Sequence, residues 1–141
     1  LADAILQNGG TALAANDIIQ AIAIPANTLI LYAGFKVVTA MEGTTTDSEF
    51  HVGMADVDLF AASFDLDGAS VGAITPLAGV SSEVAAQVPA FVTSAETIDV
   101  EIQASSGTIT GGIIRVFAVC LLLDELSQSS SANEVDRDLL A

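Results

Sequence analysis

Apolar and polar side chains along this chain alternate with the two-residue period of β-structure far more often than with the period of a helix. In residues 95–104, Ile98, Val100 and Ile102 fall on one side, with Asp99, Glu101 and Gln103 on the other. That is the pattern of an antiparallel strand with one buried face. Residues 105–112 (Ser-Ser-Gly-Thr-Ile-Thr-Gly-Gly) read as a loop. Residues 113–123 are apolar almost throughout, which predicts a strand covered on both faces. Upstream, residues 17–24 read as a strand closed by Pro25 and Asn27, and residues 28–41 as a long strand in which Gly34 predicts a bulge or bend. Shorter strands are predicted at 49–54, 70–74 and 90–93, with strand or helical content around 59–64. Residues 77–88 are ambiguous between a loop and a short helix, because Gly79 and Pro89 bracket them.

About eight short strands separated by turns predict an all-β fold, a jelly-roll-like antiparallel β-sandwich. Three segments follow: an N-terminal arm over 1–16, a β-sandwich domain over 17–124 and a C-terminal tail over 125–141. The arm, a short helix or an extended segment, is alanine-rich and broken at Gly9-Gly10, with a turn at Asn16-Asp17, and the tail is acidic, serine-rich over 127–131 and weakly amphipathic over 133–140. A length of 141 residues fits one domain. No fixed-period repeat points to a propeller or solenoid.

Charge narrows the partners. Three Lys+Arg stand against 18 Asp+Glu, a formal net charge of −15. Lys36, Arg115 and Arg137 are far apart in sequence, so neither direct nucleic-acid binding nor an anionic membrane surface is expected. The apolar share is 52% and the mean hydropathy +0.64, yet the longest apolar runs are interrupted or too short for a membrane span. The surplus apolar surface points instead to an interface between subunits. The opening Leu1-Ala-Asp3 lacks the basic start of a secretory leader.

Candidate chemistry is sparse. Asp56, Asp58, Asp65 and Asp67 form the densest run of carboxylates outside the tail. Such loops can hold a divalent ion, but the spacing lacks the distant bidentate Glu of a calcium loop, and the reading is a solvated acidic loop with no metal. Two carboxylates flanking a sugar would want aromatic platforms, and the chain has no Trp and one Tyr, Tyr32. His51 is the single histidine, too few for a typical zinc site. It is read as an ordinary side chain outward on its strand or at an edge. Cys120, alone in an apolar strand, is read as a buried inert thiol. Arg115 and Lys36, each in an apolar strand, call for carboxylate partners either within the fold or across a subunit interface. No catalytic residue and no cofactor is assigned, and the chain is read as a non-enzyme.

Several stretches resemble a known family. They are 10–19 (Gly-Thr-Ala-Leu-Ala-Ala-Asn-Asp-Ile-Ile), 24–31 (Ile-Pro-Ala-Asn-Thr-Leu-Ile-Leu), 34–40 (Gly-Phe-Lys-Val-Val-Thr-Ala), 51–60 (His-Val-Gly-Met-Ala-Asp-Val-Asp-Leu-Phe), 96–102 (Glu-Thr-Ile-Asp-Val-Glu-Ile) and 107–119 (Gly-Thr-Ile-Thr-Gly-Gly-Ile-Ile-Arg-Val-Phe-Ala-Val). Together they resemble the small capsid decoration, or cement, proteins of tailed bacteriophages of marine and cyanobacterial hosts, over about residues 9–124. The resemblance implies a jelly-roll or related sandwich, a homotrimer, a seat on the outer capsid surface of the virion, and the major capsid protein as partner. The contrasting expectation is a trimeric head-fibre or receptor-binding module that recognises host surface glycans.

Overall fold

A computed structural model describes residues 1–7, 9–44, 48–66, 69–74 and 88–123. The predicted ambiguous segment 77–88, apart from Val88, and the tail over 125–141 lie outside the described residues, as does Asp67. The elements are a short helix α1 (Ala2–Gln7) and seven strands: β1 (Ile18–Ile24), β2 (Thr28–Gly43), β3 (Ser48–Gly53), β4 (Ala61–Asp65), β5 (Ala90–Val92), β6 (Glu96–Ser105) and β7 (Ile109–Leu122). They form two antiparallel sheets, one of order β1-β6-β3-β4 and one of order β5-β2-β7. The fold is an all-β sandwich, as the alternation predicted. Seven strands are described where about eight were expected.

The inner faces meet through large apolar side chains. Ile98, Val100 and Ile102 of β6 are fully buried, as are Ile30, Phe35 and Val37 of β2 and Phe50 and Val52 of β3. Phe35 ties the sheets together: its ring meets Phe50 at 6.4 Å between centroids and Phe64 at 5.0 Å, both edge to face. That is the arrangement aromatic quadrupoles favour. Burying side chains of this size supplies about 1.5–3 kcal/mol each, which is why the alternation dictates the fold so directly.

The alternation is not unbroken, and the breaks have a structural cause. In β2 the inward positions run Thr28, Ile30, then Ala33, Phe35 and Val37. The phase changes because the register with β7 slips between Ile30 and Tyr32, and again between Val37 and Thr39. A bulge inserts one extra residue, so the side chains that follow exchange faces. The bend predicted at Gly34 therefore falls on either side of it. Gly34 itself sits in regular register opposite Phe117, whose ring lies 5.6 Å from that of Tyr32. An aromatic opposite a strand glycine covers the backbone that a Cβ would otherwise shield. In β1 a slip between Gln20 and Ile22 keeps Ile19 and Ile22 on the core. In β4 the slip against β3 coincides with Ser63 at φ +48°.

The segment read as an N-terminal arm lies on the sandwich. Leu13 is buried and pairs in both directions with Ile109 through backbone hydrogen bonds of 3.2 and 3.1 Å. Leu1, Ala4 and Ile5 of the α1 region pack against the core, and the Leu1 amino group donates to the Gly112 carbonyl at 3.2 Å. The segment sits where β1 and β7, each at the edge of its sheet, leave the sandwich open. A cleft of about 280 Å³ remains there, lined by Leu1, Ala4, Ile19, Ile114 and Val116 among others.

Candidate functional site

The two sheets share one kind of inner face and differ in their outer ones. On the three-stranded sheet, the side chains of β7 that point away from the core are Ile113, Arg115, Phe117, Val119 and Leu121. Ile113, Val119 and Leu121 are each about half exposed, and Phe91 of β5 and Leu31 of β2 are exposed beside them. This corrects the reading of residues 113–123 as covered on both faces: β7 is an edge strand with a bare outer side. In the midst of this apolar surface Lys36 and Arg115 stand directly opposite each other in the β2–β7 register, both exposed. Neither has a carboxylate within ion-pair distance among the described residues. Like charges at directly opposed positions destabilise a strand pair, so the arrangement carries a local cost.

The outer face of the four-stranded sheet is the reverse. Asp99 and Glu101 project from the middle of β6, and Glu49 stands opposite Asp65 across β3 and β4. Lys36 and Arg115 are the whole Lys/Arg complement of the described residues, so this face carries no Lys or Arg. His51 is the exception in chemistry. It points outward from β3 but is about nine-tenths buried, in register with Glu101, and its Nδ1 lies 3.9 Å from Glu101 Oε2. Neither ring nitrogen has a hydrogen-bond partner, so no serine hydroxyl is held against it and no nucleophile relay is assembled there. The sequence had placed His51 outward, and the burial was not legible in it.

Asp99 is the second orphan. Its Oδ1 is buried without a hydrogen-bond partner. It lines an open cleft of about 600 Å³ with Asp17, Ile18, Ile19, Gln20, Ala4 and Leu13. Buried acceptors without partners are rare and costly. A carboxylate oxygen held this way is suited to a cation that enters from outside.

The acidic loop divides. Asp56 and Asp58 come together in the turn after β3, where a hydrogen bond to Asp58, some desolvation and the neighbouring negative charge hold the Asp56 carboxyl above the usual aspartate range. Asp65 lies at the end of β4, in register with Glu49 rather than with the turn. No group of three or more His, Cys, Asp or Glu side chains among the described residues has a metal-holding arrangement. The turn is held closely: a Cβ on Gly53 would collide with the Asp56 carbonyl and with Val57, and Met54 N–H donates to Asp56 O at 2.9 Å. Cys120 is half-buried on the core side of β7 opposite Ile30, and desolvation pushes its thiol up from the ordinary value. It is thereby less available as a thiolate.

No helix among the described residues is long and apolar enough to cross a membrane. No protein-family model, curated protein or solved structure matches the chain.

Proposed function

We propose that this chain is a structural virion protein that binds the outer surface of a tailed-phage capsid as a trimer, in contact with the major capsid protein, and holds the shell against the pressure of packaged DNA. The observation that carries the reading is the bare outer face of β5-β2-β7, with Phe91, Val119 and Leu121 exposed. Contiguous apolar patches on a soluble chain mark surfaces made for assembly. The resemblance of the turn and strand sequences supplies the capsid, the three-fold state and the jelly-roll connectivity. The mechanism is linkage: a protein that binds only the assembled shell stabilises it by mass action, and three linked contacts hold more firmly than one.

The test is co-sedimentation of the purified chain with expanded and unexpanded shells, followed by cryo-electron microscopy of the particle that carries it. Retention on expanded shells, with density over the three-fold positions, is the expected result. Density confined to a tail or fibre would transfer the reading to the receptor-binding module, for which exposed Phe91 and the Tyr32–Phe117 ring pair offer an aromatic surface. Failure to bind any shell would end the capsid reading.

A further inference from the structure

We propose that the outer face of β5-β2-β7 docks on the outer face of β1-β6-β3-β4 of a second copy, with Lys36 and Arg115 of one copy meeting Asp99 and Glu101 of the next. The inference deepens the self-association part of the proposed function and is independent of any capsid.

Three observations carry it. The first is charge. In a chain of net charge −15, two of its three basic side chains lie side by side at directly opposed positions on one sheet face, unpaired among the described residues. The other sheet face carries carboxylates and no Lys or Arg. The second is spacing. Asp99 and Glu101 are two residues apart on one side of β6, about 7 Å along a strand, and Lys36 and Arg115 are neighbours across about 5 Å. Two long basic side chains can therefore reach the two carboxylates together. Asp99 Oδ1, buried and without a partner beside an open cleft, is the acceptor such a contact would satisfy. The third is area. Strands of 16, 14 and 3 residues in β2, β7 and β5 make a face of about 500 Å² at ordinary strand rise and spacing, and exposed Ile74, bridged to Lys36, extends it toward the roughly 600 Å² that one partner contributes to a small stable interface.

The contact must be heterologous. Stacking two β5-β2-β7 faces by a two-fold axis would crowd two Lys36 and two Arg115 side chains into one apolar layer and leave every carboxylate outside it. Pairing unlike faces removes both penalties at once. Heterologous contacts close into rings when the rotation allows and otherwise run on as filaments, and a ring of three is the closure that the proposed trimer requires.

A charge-swap series read by light scattering and sedimentation velocity tests this. The double variant Lys36→Glu with Arg115→Glu is expected to weaken self-association about 100-fold, and Asp99→Lys with Glu101→Lys to do the same. Combining all four changes in one chain is expected to restore association, because each reversed face then meets a reversed complement; mixing the two double variants is expected not to restore the ring of three, since alternating copies cannot close at an odd number. Circular dichroism checks the fold. If the lysine variants fail to fold, Asp99→Asn with Glu101→Gln and Lys36→Gln with Arg115→Gln replace them, each expected to weaken association about tenfold. The inference is overturned if the Asp99/Glu101 variant associates as wild type does, which would indicate a like-face contact. It is also overturned if wild type stays monomeric at submillimolar concentration while a chain ending at Leu123 associates, which would mean that residues 124–141 occupy the face. Shell binding by a monomeric wild type would overturn this inference and leave the capsid reading standing, whereas a ring that ignores shells would do the opposite.

Discussion

Strands β6 and β7 are neighbours in sequence and lie in different sheets, and their patterns differ for a physical reason. β6 buries Ile98, Val100 and Ile102 and turns Asp99 and Glu101 outward. β7 turns Ile114, Val116 and Ala118 toward the core and Val119 and Leu121 outward. Both strands pack one side on the same core, so the difference lies wholly in what the outer side is made to meet. Alternation marks a surface finished by water. A run that is apolar on both sides marks a strand expecting two covers, and the described residues supply one. The predictions below begin with what the two sheets share and move outward to what separates them.

The largest effect belongs to the shared core. Phe35 is fully buried and touches the rings of Phe50 and Phe64 on the opposite sheet. Phe35→Ala is expected to lower unfolding stability by about 3–5 kcal/mol, read from urea denaturation. A loss under ~1 kcal/mol would mean that the sheets are not held together at this position.

The next concerns residues 1–16, which their composition marked as an arm and the structure places over the open edge. Leu13 is 3% exposed and Leu6 is 73% exposed. Leu13→Ala is expected to cost about 2–3 kcal/mol, and Leu6→Ala to stay within ~0.5 kcal/mol of wild type. Equal, small effects at both sites would detach the segment from the core.

How much of this was legible in the sequence follows from the same contrast. The inward set of β6 could be read off the period, because burial of Ile98, Val100 and Ile102 between Asp99, Glu101 and Gln103 leaves a local two-residue signature. The bulges at Ile30/Tyr32 and Val37/Thr39 could not, since a register slip depends on the partner strand and leaves no mark at a glycine. The opposition of Lys36 and Arg115, 79 positions apart in the chain, exists only once β2 and β7 are in register. The orphan acceptor of Asp99 and the burial of His51 likewise arise from tertiary cover, which period and composition do not encode.

That cross-strand pair allows stability and association to be moved in opposite directions. Lys36→Glu alone converts a like-charge pair into an attractive one with Arg115. The monomer is expected to gain about 0.5 kcal/mol in urea unfolding at a dilution where no oligomer forms, while self-association weakens. If stability and association both fall, Lys36 is packed into the monomer rather than held out for a partner.

The smallest effect lies at the acidic turn, on the carboxylate side of the comparison. The folded protein binds the Asp56 proton more tightly than the unfolded chain does, because Asp58 is hydrogen-bonded to it and repels its charge. A carboxyl raised in this way weighs against the folded state as pH climbs above its ordinary value of 3.8, and the weight disappears below that value, where it is protonated in both states. Asp56→Asn removes the charge and keeps a side chain able to bond Asp58. The variant is expected to melt slightly above wild type at neutral pH, with the two melting curves converging as pH falls below 3.8. The side chain is well solvated, so the shift is expected to be the smallest of the set. A gap of unchanged size at low pH would show that the gain comes from backbone packing in the 54–60 turn, against which Gly53 already fits with no room for a Cβ, and that the acidic face carries no charge strain of its own.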